Sequence, residues 1–152
     1  IYPYFRLIEE GYEVHLLGTE KDVTYTGKSG LTQKSSHASK DVKASDYDAV
    51  VIPGGYSPDR MRRCKDTVQL VKEINKLNKP IAAVCHGPWM LASCCDIKGK
   101  KLTSFYSIKD DLINAGAEYV EQEVAVDGNF ITSRNPNDLP AFLKEIIKQI
   151  EG

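Results

Sequence analysis

The segment Ile81-Ala82-Ala83-Val84-Cys85-His86-Gly87-Pro88 holds the residues most able to do chemistry. Its four apolar residues spell a buried strand. A cysteine follows at the strand's carboxyl end, and Gly87 and Pro88 then open a helix expected to reach Cys95. Small residues around a sharp strand-to-helix turn make a nucleophile elbow, with Cys85 at its apex. Positive potential and free N–H groups at a helix start favour thiolate over thiol and offer donors to an oxyanion. The plainer alternative is a small apolar residue at a strand end. His86 is either the base that takes the thiol's proton or a sequence neighbour whose side chain diverges from it.

Gly54-Gly55 follows a second apolar run, Ala49-Val50-Val51-Ile52, and Pro53. Glycines there let backbone approach a bound group, and a glycine N–H can complete an oxyanion hole; an ordinary tight turn explains them as well. Asp59 follows Ser57-Pro58 where a helix should begin, a place that suits a carboxylate in any case. Cys64 lies in Arg62-Arg63-Cys64-Lys65, a basic setting that favours its thiolate if exposed. Cys94 and Cys95 read as packing residues, and His15 and His37 as structural or solvated. The four cysteines have neither a disulfide framework nor a zinc spacing, which fits a reducing compartment, the cytoplasm.

The elements that must position these residues alternate. Helices are expected over Ile1–Glu10, with Tyr4, Leu7 and Ile8 on one face, over Thr67–Leu77, and over Leu139–Ile150. Another should start at a Ser107 cap and end at Gly116. Strands are expected at Tyr12–Leu17, Ala49–Ile52, Pro80–Val84 and Lys101–Phe105, with a hairpin or loop in Thr24–Ser35. A second hairpin should join Tyr119–Val126 to Phe130–Ser133 across Asp127-Gly128. Buried strands alternating with helices give an α/β domain with a mostly parallel sheet, one domain over residues 1–152. The chain opens on a helix with no strand to feed it, so an upstream segment of about one strand, ~5–6 residues, is expected.

Composition narrows the function. The 152 residues carry 20 Lys and Arg against 21 Asp and Glu, a net charge of −1. No basic excess marks a nucleic-acid binder. No apolar run approaches the ~20 residues of a membrane-spanning helix.

Together these motifs resemble the ThiJ/PfpI superfamily, in its PfpI-like branch, within the class I glutamine amidotransferase-like fold. The carriers are Val51-Ile52-Pro53-Gly54-Gly55, Ala83-Val84-Cys85-His86-Gly87-Pro88, Ile108 through Ala117, Val126-Asp127-Gly128-Asn129 and Thr132-Ser133-Arg134. The opening Ile1-Tyr2-Pro3-Tyr4 through Gly11 also matches, so the likeness covers essentially the whole chain. It implies a flavodoxin-like three-layer sandwich, and dimers or hexamers with sites near subunit interfaces. Cys85 and His86 would work with an acid from a neighbouring subunit, which maps to Asp59. Backbone groups of Gly55 and His86 would form the oxyanion hole, with Gly54 and Gly87 beside them.

Two departures stand out. A superfamily glutamate that bonds the cysteine would fall ahead of Ile1. Phe105 stands where some relatives place a tyrosine near the thiol, and Tyr106 either substitutes for it or does not. The implied activities are glyoxalase or deglycase action on small carbonyl substrates, intracellular peptidase action, or redox sensing and chaperoning through Cys85. None needs a cofactor or metal. The first is preferred.

Overall fold

The computed structural model describes residues 1–152. Helix α1 spans Tyr2–Glu9, with Pro3 in its first turn, and Gly11 follows its end at φ 90°. Only Leu7 of its expected apolar face is buried, and Ile8 is exposed. The short strand β1, Leu17–Gly18, pairs parallel with β4, His37–Ala38. Between them Thr24–Thr26 (β2) and Thr32–Lys34 (β3) form an antiparallel hairpin. Most of the strand expected at Tyr12–Leu17 does not form. Its alternation is real, but residues 12–16 have no ladder partner, and a strand exists only by pairing.

The sheet that carries the site has four strands in the order β5-β6-β10-β9. β5 is Val50–Ile52, β6 is Ile81–Val84, β9 is Val124–Asp127 and β10 is Phe130–Ser133. β5 and β10 flank β6 in parallel, and β9 closes the edge antiparallel to β10. All four residues of β6 are buried, as a central strand covered on both faces requires. The β9–β10 turn is shifted by one residue from expectation. Asp127 pairs with Phe130, leaving Gly128 and Asn129 as the loop. β7 (Lys101–Leu102) and β8 (Glu118–Tyr119) pair parallel as a short separate ladder, so the strand expected to run to Phe105 stops at Leu102.

Helices cover both sides. Ile81 and Ala83 of β6 face one core with Leu70, Val71 and Ile74 of α3 (Lys65–Lys76) and Met90 and Leu91 of α4 (Trp89–Cys94). Leu112 of α5 (Lys109–Asn114) joins that core. Ala82 and Val84 face the other, with Leu7 of α1 and Phe142, Leu143 and Ile146 of α6 (Leu139–Glu151). The period-two alternation of β6 thus divides its side chains between two helical layers. A short helix α2, Ser57–Met61, follows β5 and packs against α4. This is an α/β fold of the flavodoxin-like type. No helix is long and apolar enough to cross a membrane.

Candidate active site

Cys85 is the first residue past β6 and takes φ 62°. A side chain there crowds its own backbone, at a cost of ~1–3 kcal/mol, so surrounding bonds must hold it. The Cys85 N–H donates to Ser133 O at 2.9 Å, and Cys85 O accepts from the Phe105 N–H at 2.9 Å. The Gly87 N–H closes the turn on Val84 O at 2.8 Å.

Two glycines make room for this apex. A Cβ on Gly54 would lie 2.6 Å from Cys85 Cβ and 3.2 Å from Sγ. A Cβ on Gly87 would lie 2.7 Å from Ile52 O and 2.9 Å from Val84 N. Both positions therefore exclude any side chain. Because its N–H is spent on Val84, Gly87 supplies space and not a hydrogen-bond donor.

The helix contributes less than its sequence suggests. α4 has only six residues and begins at Trp89, after a run of turn residues, so its terminal potential is small. The thiol's polar partner is instead the adjacent imidazole. Cys85 Sγ and His86 Nδ1 stand 3.2 Å apart. Neighbouring side chains usually diverge; here Cys85, whose φ is positive, and His86 converge.

The ring of His86 is held on three sides. Phe105 stacks on it with centroids 5.2 Å apart and planes 29° apart. Trp89 meets it edge-on at 5.1 Å. Its far nitrogen, Nε2, lies 3.2 Å from Ser107 Oγ. Trp89 is itself fixed by its indole N–H, which donates to Asp111 at 2.8 Å, and by Arg62, whose guanidinium lies 6.0 Å from the ring centroid. The N–H groups of Gly55 and His86 donate to no acceptor in the chain.

The other expected residues stand apart from this contact. The Asp59 carboxylate, in the first turn of α2, pairs with Arg63 and makes no bond to His86. Tyr106 is 73% exposed, and its ring rests on Phe105 at 4.6 Å with the hydroxyl unbonded. Ser107 was expected as a helix cap. It lies instead inside a 3-10 turn, Tyr106–Ile108, that precedes α5, and its hydroxyl faces His86. The sequence signal for this was a small hydroxyl residue next to the aromatic pair, and it was indistinguishable from a cap.

The other thiols differ in kind. Burial pushes Cys94 up to about 11 and Cys95 up to about 12. Cys64 is lowered, first by the Thr67 hydroxyl and then by the N–H groups of Thr67 and Asp66. No group of three His, Cys, Asp or Glu side chains converges as a metal site would require.

The pattern of the DJ-1/PfpI family matches residues 1–149. Deglycase PfpI of Pyrococcus furiosus is 44% identical over 151 residues, covering 99% of this chain and 90% of that protein. A Bacillus subtilis protein named "Putative cysteine protease YraA" is 43% identical, over 94% of this chain and 85% of its own length. Among solved structures, a two-domain Anabaena variabilis protein with DJ-1/ThiJ/PfpI-like and ferritin-like domains superposes with a TM-score of 0.97 at 43% identity. The match covers 99% of this chain and 44% of that two-domain protein.

Proposed function

The chain belongs to the DJ-1/PfpI family, and on that premise we propose that it is a thiol enzyme acting on glyoxals and early glycation adducts. The observation that carries this reading is the 3.2 Å contact between Cys85 Sγ and His86 Nδ1 at a strained apex; the unspent N–H groups of Gly55 and His86 would form the oxyanion cradle. A nucleophile, a proton acceptor and an oxyanion cradle are what addition to a carbonyl needs. The name of the P. furiosus relative supports the same substrate class.

With methylglyoxal, His86 takes the thiol proton and Cys85 Sγ bonds to the aldehyde carbon. The carbonyl oxygen becomes an oxyanion against the N–H groups of Gly55 and His86, then takes the proton from His86 to give a hemithioacetal. Moving the C1 hydrogen to C2 as a proton, and the proton of the C1 hydroxyl to the C2 oxygen, turns that adduct into a lactoyl thioester. Water then cleaves the C–S bond, releasing lactate and returning the thiol. The sum is methylglyoxal plus water to lactate, with no outside oxidant or reductant. An early glycation adduct, an aminocarbinol, enters the same sequence once its C–N bond breaks: its hydroxyl loses a proton, the amine leaves carrying one, and Cys85 adds to the aldehyde carbon so formed.

An acid from a second copy of the chain would complete the resemblance. Asp59, whose Oδ2 is held by Arg63 within the subunit, would fill that role in a homo-oligomer through its other oxygen. A free nucleophilic thiol suits the reducing cytoplasm.

The test follows D- and L-lactate from methylglyoxal with wild type and Cys85→Ala. Lactate formation lost in the variant supports the reading, and equal rates in both overturn it. Cleavage of a denatured protein by the same preparation, abolished by Cys85→Ala while methylglyoxal is left unconsumed by either protein, would instead establish the peptidase reading that the YraA name suggests.

A further inference from the structure

Ser107 is exposed, lies 21 residues from His86 in sequence, and places its Oγ 3.2 Å from the one ring nitrogen that the thiol does not use. A nucleophile paired with a base needs a third group to fix that base, and acid-bearing triads use a carboxylate for it. Within the subunit no carboxylate bonds His86, and an acid from a second copy would share Nε2 with Ser107. We propose that Ser107 is the positioning residue of the Cys85–His86 pair, acting within the subunit by accepting the Nε2–H of His86. The inference rests on Cys85 being the nucleophile.

The geometry gives the hydroxyl two effects. An imidazole that donates from Nε2 leaves Nδ1 bare toward the thiol, the tautomer a base requires. When the proton moves, the Sγ–H bond breaks and the Nδ1–H bond forms, so the ring is positive and donates from both nitrogens. Ser107 Oγ then receives a charge-assisted bond, stronger than the one before transfer. The hydroxyl thus favours the thiolate–imidazolium state over the neutral pair. Phe105 and Trp89 fix the ring plane, and Ser107 fixes its charge and tautomer.

Several titratable groups stand on the elements around the ring. Cys85 lies on the turn. Arg62, at the end of α2, lies over Trp89, and Asp111 of α5 is held by the indole N–H. Asp59 of α2 is held by Arg63, and Tyr106 stands exposed beside Phe105. None of these is hydrogen-bonded to Nε2, so within the subunit Ser107 is the one partner of that nitrogen.

The experiment uses the full chain with Ser107→Ala and Ser107→Thr. Alkylation of Cys85 by iodoacetamide is followed by mass spectrometry of its own peptide, from about pH 5 to 9. Loss of one acceptor for a charged donor should move the profile of Ser107→Ala upward by about half to one pH unit, discounted for exposure. Ser107→Thr, which keeps a hydroxyl, should restore the wild-type profile. A downward move would mean that the hydroxyl donates to Nε2, and an unmoved profile would mean a merely structural residue; either overturns the proposal. Because the readout is alkylation, it stands even if methylglyoxal proves not to be a substrate. A failure of Cys85 itself would show as Cys85 reacting no faster than Cys64 in the wild type.

Discussion

Two cysteines of this chain sit where a helix begins, and they are built differently. Cys64 is the N-cap of α3, a twelve-residue helix, in ordinary extended backbone at φ −94° and ψ 112°. Cys85 precedes α4, half that length, in a left-handed conformation. If a helix start were enough, Cys64 would be the better nucleophile, since it has the longer helix. Its thiol is indeed lowered, first by the Thr67 hydroxyl and then by the N–H groups of Thr67 and Asp66. Yet no imidazole faces it. Cys85 has the weaker helix but also the ring at 3.2 Å and a tight turn that presents the sulfur. Acidity and catalysis are thus separable: one needs donors to the sulfur, the other also needs somewhere for the proton and the oxyanion to go.

The largest effect that can break this comparison comes from the thiols themselves. Cys85→Gly should lower lactate formation from methylglyoxal about a thousandfold or more, whereas Cys64→Ala should stay within about twofold. The glycine should also relieve the positive φ, so that Cys85→Gly melts above Cys85→Ala by ~2 °C in thermal unfolding. Equal turnover losses at Cys64 and Cys85 would end the distinction. So would an elbow variant that gains nothing on removing its Cβ.

A smaller effect comes from the space around the apex. Gly54→Ala puts a methyl 2.6 Å from Cys85 Cβ and must displace the thiol from His86. Misplacement on that scale should cost about a hundredfold in turnover. The matched control is Gly99→Ala, at φ 71° with nothing within 4 Å of the new methyl. It should cost ~1–2 kcal/mol of stability from backbone strain alone and leave turnover intact.

The remaining pair of cysteines sharpens the contrast from the other side. Burial raises Cys94 to about 11 and Cys95 to about 12. At about pH 7.5 fewer than about one in a thousand of either is thiolate. Native protein treated with iodoacetamide should therefore carry label at Cys85 and Cys64 and none at Cys94 or Cys95, with all four labelled after denaturation. Prompt native labelling of Cys94 would show that the helix end opens readily.

The site was readable from the sequence where its determinants are local, and unreadable where they are not. Four apolar residues, a cysteine and a Gly-Pro pair specify the strand and the turn that follows, and Gly54 announced a close backbone approach. The convergence of Cys85 and His86 depends on a backbone angle that no pattern of residue types states. Ser107 resembles a cap in sequence because its partner lies 21 residues away and meets it only in the fold. The strand expected at Tyr12–Leu17 failed for a related reason: alternation describes which face a residue would turn to, not whether a neighbouring strand exists to bond it. Likewise Lys101–Phe105 lost its last residues to the turn that brings the Phe105 N–H to Cys85 O at 2.9 Å. What the sheet gave up there, the elbow gained.

The smallest expected effect is the most discriminating, because it should touch one thiol and spare the other. The Thr67 hydroxyl is the first cause of the lowered Cys64 thiol, and it also lies 2.9 Å from Ser39 Oγ. Thr67→Val keeps the branched shape and removes the hydroxyl, while Ser39 retains its bond to Gly18 O at 3.1 Å. The thiolate share of Cys64 at neutral pH should fall, and its alkylation rate should drop by about two- to fivefold, in keeping with one modest hydrogen bond. Cys85, whose partner is His86, should react at its wild-type rate. Ser107→Ala should do the converse, slowing Cys85 and sparing Cys64. If either substitution slowed both thiols together, the two helix starts would share a common field, and the separation of acidity from catalysis would lose its structural basis.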